Sequence, residues 1–293
     1  MSRNLLICFD AFGTLFMPKR PIAQQYGEVA RSLFGLGGFT DEQLADSFKK
    51  AFKQQAKQHP NFGKANGMNP ERWWTNIIHN TFRPLVGAEQ RIHEDLAPKL
   101  LHRFGSEEGY DLMPGVRLLL QGLKDRSANR QAHTVVGVVT NSDNRVPGIL
   151  SSFGLSVSPL RYGDKPLGRN SVATRYDIDF TVMSYDAGHE KPDKRIFAAA
   201  EEMLQLLPVA TETDLNSWDL LHVGDEYEKD VVGAKNARWY AVLVNGEAGR
   251  VPRDVADLSQ ADPNDLLQHM RDGHPYVALS SLELLAQWLG IRP

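Results

Sequence analysis

The chain has 293 residues, 42% of them hydrophobic and 24% charged, with 33 basic against 36 acidic side chains and a formal net charge of -3. That length buries a substantial core in one large domain or a domain with an insert, and the balanced, unclustered charge excludes a basic nucleic-acid-binding surface. Cys8 is the one cysteine, which rules out an internal disulfide and suits a reducing compartment. No apolar run has the length of a membrane span, so a cytoplasmic protein with neither nucleic-acid nor membrane partners is expected.

The first apolar run, 5–9, is short, dense and ended by Asp10-Ala-Phe-Gly13, the pattern of a strand buried on both faces. Cys8 sits inside it, where a thiol packs as a small hydrophobe. From about residue 21 to 104 the period turns helical and predicts helices near 21–34, 41–58, 70–80 and 88–104. Thr40-Asp-Glu-Gln43 spells a capping box, and Asn69-Pro70 puts proline at a first helical position. This insert, bounded as 18–110, makes a helical cap domain on a core of 1–17 and 111–293. Trp73 and Trp74 within it are expected to be core rather than pocket lining. Further apolar runs at 133–139, 180–183, 220–223 and 240–244 alternate with helical stretches. The fold class expected is therefore α/β: a Rossmann-like parallel sheet with helices on both faces, plus an inserted all-helical cap. Segments 156–177 and 246–274, rich in glycine, proline and charge, are expected to be long surface loops.

In an open parallel sheet, ligands gather at the carboxyl ends of the strands, so polar residues directly after apolar runs are the candidates for chemistry. They are Asp10; Thr140-Asn141-Ser142-Asp143; His189-Glu190-Lys191-Pro192; and Gly224-Asp225, with Asp230 shortly after. A carboxylate, a hydroxyl, an ammonium and further carboxylates make sense around a phosphoryl group and a hard cation. Magnesium prefers oxygen ligands and is held by one or two carboxylates together with substrate phosphate, which Asp10 and Asp225 can supply. The cation would reduce the repulsion between a negative Asp10 and a negative phosphate. Lys191 could neutralise charge developing on the transferred group, and Thr140 could donate its hydroxyl to a phosphoryl oxygen. Pro192 is expected in the first turn of a helix beginning near Asp193. His222 faces the body of the sheet by strand alternation and is expected to be a satisfied core residue. Lys19 and Arg20, where the chain enters the insert, suit an anionic substrate tail or plain solvent.

Taken together and in this order, Asp10-Ala-Phe-Gly-Thr-Leu15, Thr140-Asn141, Lys191-Pro192 and Gly224-Asp225 with Asp230 resemble the four signature motifs of the haloacid dehalogenase-like (HAD) hydrolase superfamily. The helical insert is similar in position to that family's alpha-helical C1 cap. The resemblance implies that Asp10 is a nucleophile forming a covalent aspartyl intermediate. It also implies that Thr140, Asn141 and Lys191 bind the group being transferred, and that Asp225, Asp10 and the backbone carbonyl of Phe12 hold Mg2+. Asp230 would steer Lys191 or a metal-bound water.

Phe12 departs from the phosphatases of that family, which carry an acid/base Asp two residues after the nucleophile. A positioned acid/base contributes on the order of a hundred- to ten-thousand-fold, so simple phosphate esters should turn over slowly here. The aromatic first motif is similar to that of 2-haloacid dehalogenases, where halide leaves without needing a proton. Gly224-Asp225 is unlike them, because those metal-free enzymes carry Ser-Asn in the fourth motif. Three readings follow: a magnesium-dependent phosphohydrolase or phosphotransferase of a small phosphorylated metabolite; dehalogenation or hydrolysis at carbon by the same carboxylate; or a weakly catalytic family member that binds a phosphorylated ligand or a partner.

Overall fold

The computed structural model describes residues 3–87, 90–127, 132–164, 176–211, 214–244 and 251–291. Two compact units divide the chain: Met1–Met17, Leu112–Asn141 and Gly154–Pro293 form one, and Pro18–Asp111 with Ser142–Phe153 form the other. The second unit thus takes 142–153 in addition to the expected insert, so the core unit is not the continuous 111–293 span.

Strand β1 (Asn4–Phe9) opens the core unit, and β2 (Phe16–Pro18) carries the chain out of it. The helical unit begins with α1 (Ile22–Phe34), whose buried side includes Tyr26, Val29 and Ala30 and whose end is turned by Gly35 at φ 62°. Helix α2 (Asp41–Gln58) starts at the capping box, with Thr40 and Gln43 exchanging both side-chain-to-backbone bonds. Asn69 caps α3 (Pro70–Phe82) by accepting from the Arg72 N–H. Helix α4 (Leu96–Arg103) is shorter than the expected 88–104. Pro98 explains the late start, since its ring excludes the carbonyl four residues back and lacks the N–H a longer helix would need; residues 88–89 lie outside those described. Tyr26 gathers this unit's core, stacking on Phe82 at 6.2 Å and meeting Phe48 and Phe104 at 5.3 and 5.4 Å. Trp73 is core as expected, 2% exposed, its indole N–H donating to the His59 carbonyl.

The chain returns through β3 (Tyr110–Leu112) to α5 (Val116–Ser127) and β4 (Thr134–Thr140), where all seven residues are buried. After α6 (Val146–Ser152), which belongs to the helical unit, come β5 (Phe180–Met183), α7 (Ser184–Ala187), α8 (Lys194–Gln205), α9 (Pro208–Thr211) and β6 (Trp218–Gly224). Then follow α10 (Val232–Ala237), β7 (Tyr240–Val244), β8 (Ala256–Asp257), α11 (Leu266–Arg271), β9 (Tyr276–Leu279) and α12 (Leu282–Trp288).

Among the described residues the core is one parallel sheet in the order β5-β4-β1-β6-β7-β9-β8. Helix α5 packs with α12 and α8 with α10. The crossover from β1 to β4 runs one way along the sheet and those from β5 to β6 to β7 run the other, so right-handed connections put the two helix pairs on opposite faces. The fold is thus the Rossmann-like α/β arrangement. Chain direction reverses beside β1, the place where such sheets bind ligands at their carboxyl ends. Strand β1 is buried on both faces, Leu6 to Phe9 being inaccessible, and burial pushes the Cys8 thiol well up, which keeps it a neutral packing group.

The expected surface loop at 246–274 contains regular elements, whereas the described part of 156–177 is irregular as expected and differs only in pairing along the sheet edge. Within 246–274 lie β8 and α11, and α11 buries Leu266, Leu267 and Met270. A two-residue strand and a six-residue helix are too short to show a period, and α11 is held by packing rather than propensity. Residues 156–164 hug the edge of the sheet: Ser158 N–H bonds the Ile178 carbonyl at 2.9 Å, Tyr162 N–H bonds that of Thr181 at 3.0 Å, and Leu160 is buried. The remaining parts of these segments, 165–175 and 246–250, lie outside the described residues.

Candidate active site

Register sets the first element of the site. Phe9 pairs with Val138 of β4 and Val223 of β6, so Asp10 emerges between the tips of both neighbours, and its N–H bonds the Val223 carbonyl at 2.8 Å. Asp10 is 5% exposed, and its Oδ1 accepts from the Ala11 N–H at 2.8 Å. Lys191 Nζ lies 3.0 Å from the same Oδ1 and donates to Asp230 Oδ1 at 2.6 Å. Burial would lower the Lys191 pKa, but Asp10 and Asp230 outweigh it and hold the ammonium above its ordinary value. Burial would likewise raise Asp230, but Lys191 and His222 hold it well below the usual carboxylate range.

Asp230 owes its position to one π-helical turn over Tyr227–Val231, which folds it back under the tip of β6. A side chain on Gly224 would come within 2.1 Å of the Asp230 carboxyl carbon, so only glycine allows that approach. The Glu226 N–H donates to Asp230 Oδ2 at 2.9 Å, which leaves Asp230 with partners on both oxygens.

Asp225 is different. Its Oδ1 accepts from the Thr14 hydroxyl at 2.8 Å, while its Oδ2 makes no hydrogen bond among the described residues. Gly13, at φ 86°, lies so close that a Cβ there would sit 2.3 Å from that Oδ2. Burial, with the charges of Asp10, Asp230 and Glu226 adding and the Thr14 hydroxyl opposing, pushes Asp225 up to about 6. Asp10, Asp225 and Asp230 offer carboxylate oxygens within 4.8 Å of one another. Three carboxylates against one ammonium leave this cluster negative, and a hard divalent cation is the chemistry such an all-oxygen donor set accepts. The residues therefore fit Mg2+, with Oδ2 of Asp10 and of Asp225 unengaged among the described residues and Asp230 already occupied by Lys191, His222 and the Glu226 amide.

Thr140 ends β4 and is 2% exposed. Asn141 fixes the lysine loop by a reciprocal pair, accepting from the Lys191 N–H at 2.6 Å and donating to its carbonyl at 3.0 Å. Pro192 is not in the first turn of α8: Asp193 caps that helix and the Lys191–Pro192 peptide is cis. Phe12 is 48% exposed and meets Phe16 edge-on at 6.3 Å. Arg20 pairs with Glu28 in the helical unit, and Lys19 stands 4.0 Å from Asp111.

Two features escaped sequence reasoning. His222 is buried as expected but is not a self-contained core residue, since its Nε2 lies 2.9 Å from Asp230 Oδ1 and its Nδ1 has no partner among the described residues. In the helical unit, Asp143 and Arg145 form a two-pronged ion pair with both bonds at 2.9 Å, and the Trp74 indole N–H donates to Asp143 at 2.7 Å. Trp74 is thus half-buried with a polar task rather than simple core. Only the position of His222 before Val223-Gly224-Asp225 hinted at its place; nothing local tied Trp74 to Asp143.

Comparison with known proteins bears on this geometry. The family model described as haloacid dehalogenase-like hydrolase matches residues 5–238. An uncharacterised hydrolase of Schizosaccharomyces pombe is 32% identical over 245 residues, 82% of this chain and 92% of that protein. In fold, the chain is similar to the magnesium-bound HAD-hydrolase YfnB of Bacillus subtilis, at TM-score 0.58 and 15% identity over 99% of this chain and 100% of that one. It is similar also to the 2-haloacid dehalogenase of Pseudomonas syringae pv. Tomato, at TM-score 0.55 and 19% identity over 98% of each chain. A metal-bound hydrolase and a dehalogenase share the architecture, so the choice of chemistry falls to the side chains.

Proposed function

The chain belongs to the haloacid dehalogenase-like hydrolase family, and from that premise we propose that it is a magnesium-dependent phosphohydrolase of a small phosphorylated metabolite, working through an aspartyl-phosphate at Asp10. The observation that carries this is the excess of carboxylate beside Asp10: Asp225, raised to about 6 and with Oδ2 unengaged, adds negative charge that only a cation makes useful. Asp10, Asp225 and the Phe12 carbonyl would hold Mg2+, which when bound screens charge between Asp10 and the phosphoryl group.

The protein's own groups do the rest. An Asp10 oxygen forms a bond to phosphorus as the bond to the leaving oxygen breaks, and the leaving oxygen departs with the electron pair. Lys191, tied to Asp10 and Asp230, orients the nucleophile and balances charge on the phosphoryl oxygens. Thr140 and Asn141 bind and shape the phosphoryl side of the site. Water then attacks phosphorus, which releases phosphate and regenerates the Asp10 carboxylate.

Phe12 supplies no proton, so the substrates favoured are those whose leaving group is stable as an anion, such as acyl or aryl phosphates. The single buried thiol suits a cytoplasmic setting. The aromatic ring at position 12 also favours a second reading, displacement of halide at carbon by Asp10 as in 2-haloacid dehalogenases. Acetyl phosphate hydrolysis that needs both Mg2+ and Asp10 tests the first reading; chloride released from a 2-chloro acid in EDTA would replace it with the second. Binding of phosphate without turnover of either substrate would leave a weakly catalytic phospho-ligand protein.

A further inference from the structure

His222 is the one group in this cluster whose task the reaction above leaves open. It lies in the middle of β6, inaccessible to solvent, between the sheet and α8, with the ring of Phe197 edge-on at 5.2 Å. Its Nε2 is 2.9 Å from Asp230 Oδ1, the same oxygen that receives Lys191 Nζ at 2.6 Å. Its Nδ1 is buried with no partner among the described residues. We infer that His222 is a neutral imidazole fixed as the Nε2–H tautomer, and that by donating to Asp230 it positions the carboxylate that in turn holds Lys191 against Asp10.

Proton placement follows from which atoms can be satisfied. Asp230 Oδ1 is a carboxylate oxygen and accepts only, so the nitrogen facing it carries the proton. The other nitrogen then keeps a lone pair; a proton there would be a buried donor with no acceptor among the described residues, which folding penalises. A doubly protonated ring would have that same stranded donor, and would be a second buried cation beside Lys191. The direction of its pKa agrees: burial first, and the Lys191 charge, outweigh Asp230 and Asp10 and hold His222 below its ordinary value.

The consequence concerns geometry. A carboxylate with a lysine alone on Oδ1 can swing about its Cβ–Cγ bond, whereas Asp230 is pinned by three donors: Lys191, His222 and the Glu226 amide. A partner of this kind, one step removed from the reacting groups, changes activity by roughly ten- to a hundredfold when lost. His222 touches neither Asp10 nor Asp225 in any hydrogen bond, so it is a positioning residue and not a catalytic one.

The functional part of this inference rests on the phosphohydrolase reading; the tautomer does not. Long-range nitrogen-proton correlation NMR of the full-length protein, without metal, should show His222 neutral with its proton on Nε2, and a signal for protonated Nδ1 would overturn the inference. With acetyl phosphate and Mg2+, His222→Gln, which keeps an N–H donor, should retain kcat within about threefold. His222→Leu should lose about tenfold in kcat with KM within about twofold. Equal kcat for the two variants, or a loss confined to KM, would also overturn it. Should the wild-type protein hydrolyse no phosphate at all, the phosphohydrolase reading fails, and the NMR result alone decides the tautomer and its bond to Asp230.

Discussion

Two buried clusters of charge, one in each unit, look alike in composition and differ in balance. In the helical unit Asp143 meets Arg145 through two parallel bonds, Trp74 donates a third, and the guanidinium carbon lies 4.6 Å over the Trp74 ring. One acid faces one base, and both Asp143 oxygens are taken. Burial opposes both charges, yet the pair outweighs it, holding Asp143 low and Arg145 high. Among the described residues, three carboxylates at the strand tips face a single ammonium, and two of their oxygens are unspent. The first arrangement is a clamp, complete in itself. The second is incomplete, and incompleteness of that sign is what distinguishes a cluster that could hold a cation from one that holds helices together.

The largest effect should come from Asp10, the proposed nucleophile. Asp10→Asn is expected to cut acetyl phosphate hydrolysis by roughly a thousandfold or more while leaving a folded protein, measured by steady-state kinetics alongside circular dichroism. Hydrolysis that survives this change would move the chemistry away from the strand tips altogether.

Breaking the clamp should act on stability instead. Arg145→Met strands a fully buried carboxylate, and urea unfolding should show a loss of about 3–5 kcal/mol. A loss under about 1 kcal/mol would mean that the pair is solvated and the contrast between clusters is false.

The open cluster should respond to cation. Saturating Mg2+ at about a hundred times its Kd should raise stability by about 2.7 kcal/mol, an increment absent in Asp225→Asn. Without metal the same substitution should have the opposite sign from the clamp variant. Asp225 titrates near 6 when folded and near 3.8 when unfolded, so its folded form is penalised as pH rises from about 4 through 6. Asp225→Asn in chelator should therefore gain about 1–2 kcal/mol at pH 7.5 and little or nothing at pH 4, read from chemical unfolding at each pH. Destabilisation at pH 7.5 would show that the carboxylates are balanced without a cation.

The smallest and most local change is Phe12→Asp, which should raise turnover of simple alkyl phosphates by about tenfold by supplying the missing proton donor. A neutral or harmful result would assign the ring its own place in substrate binding.

Some of this was legible in the sequence and some was not, for physical reasons. The central strands announce themselves because a strand covered on both faces must be a continuous apolar run, as in the run at 133–139 that forms β4. The polar residues just beyond those runs had to lie at one edge of the sheet, so Asp10, Thr140, Lys191 and Asp225 could be named together. Strand β8 and helix α11 were hidden because two and six residues carry no period. Helix α4 begins late because of Pro98, a breaker set inside an otherwise periodic stretch. Partnerships across long separations were invisible: Trp74 and Asp143 are 69 residues apart. His222 and Asp230 are only eight apart, yet they meet through a π-helical turn that no pattern of side chains foretold.

The bond formed at Asp10 is the most direct measure of the account. After rapid mixing with acetyl phosphate and Mg2+ and an acid quench, mass spectrometry of the peptide carrying Asp10 should find a phosphoryl group on that residue, absent when EDTA is added. An unmodified Asp10 under those conditions, together with solvent oxygen-18 entering its carboxylate during turnover of a 2-chloro acid in EDTA, would contradict it.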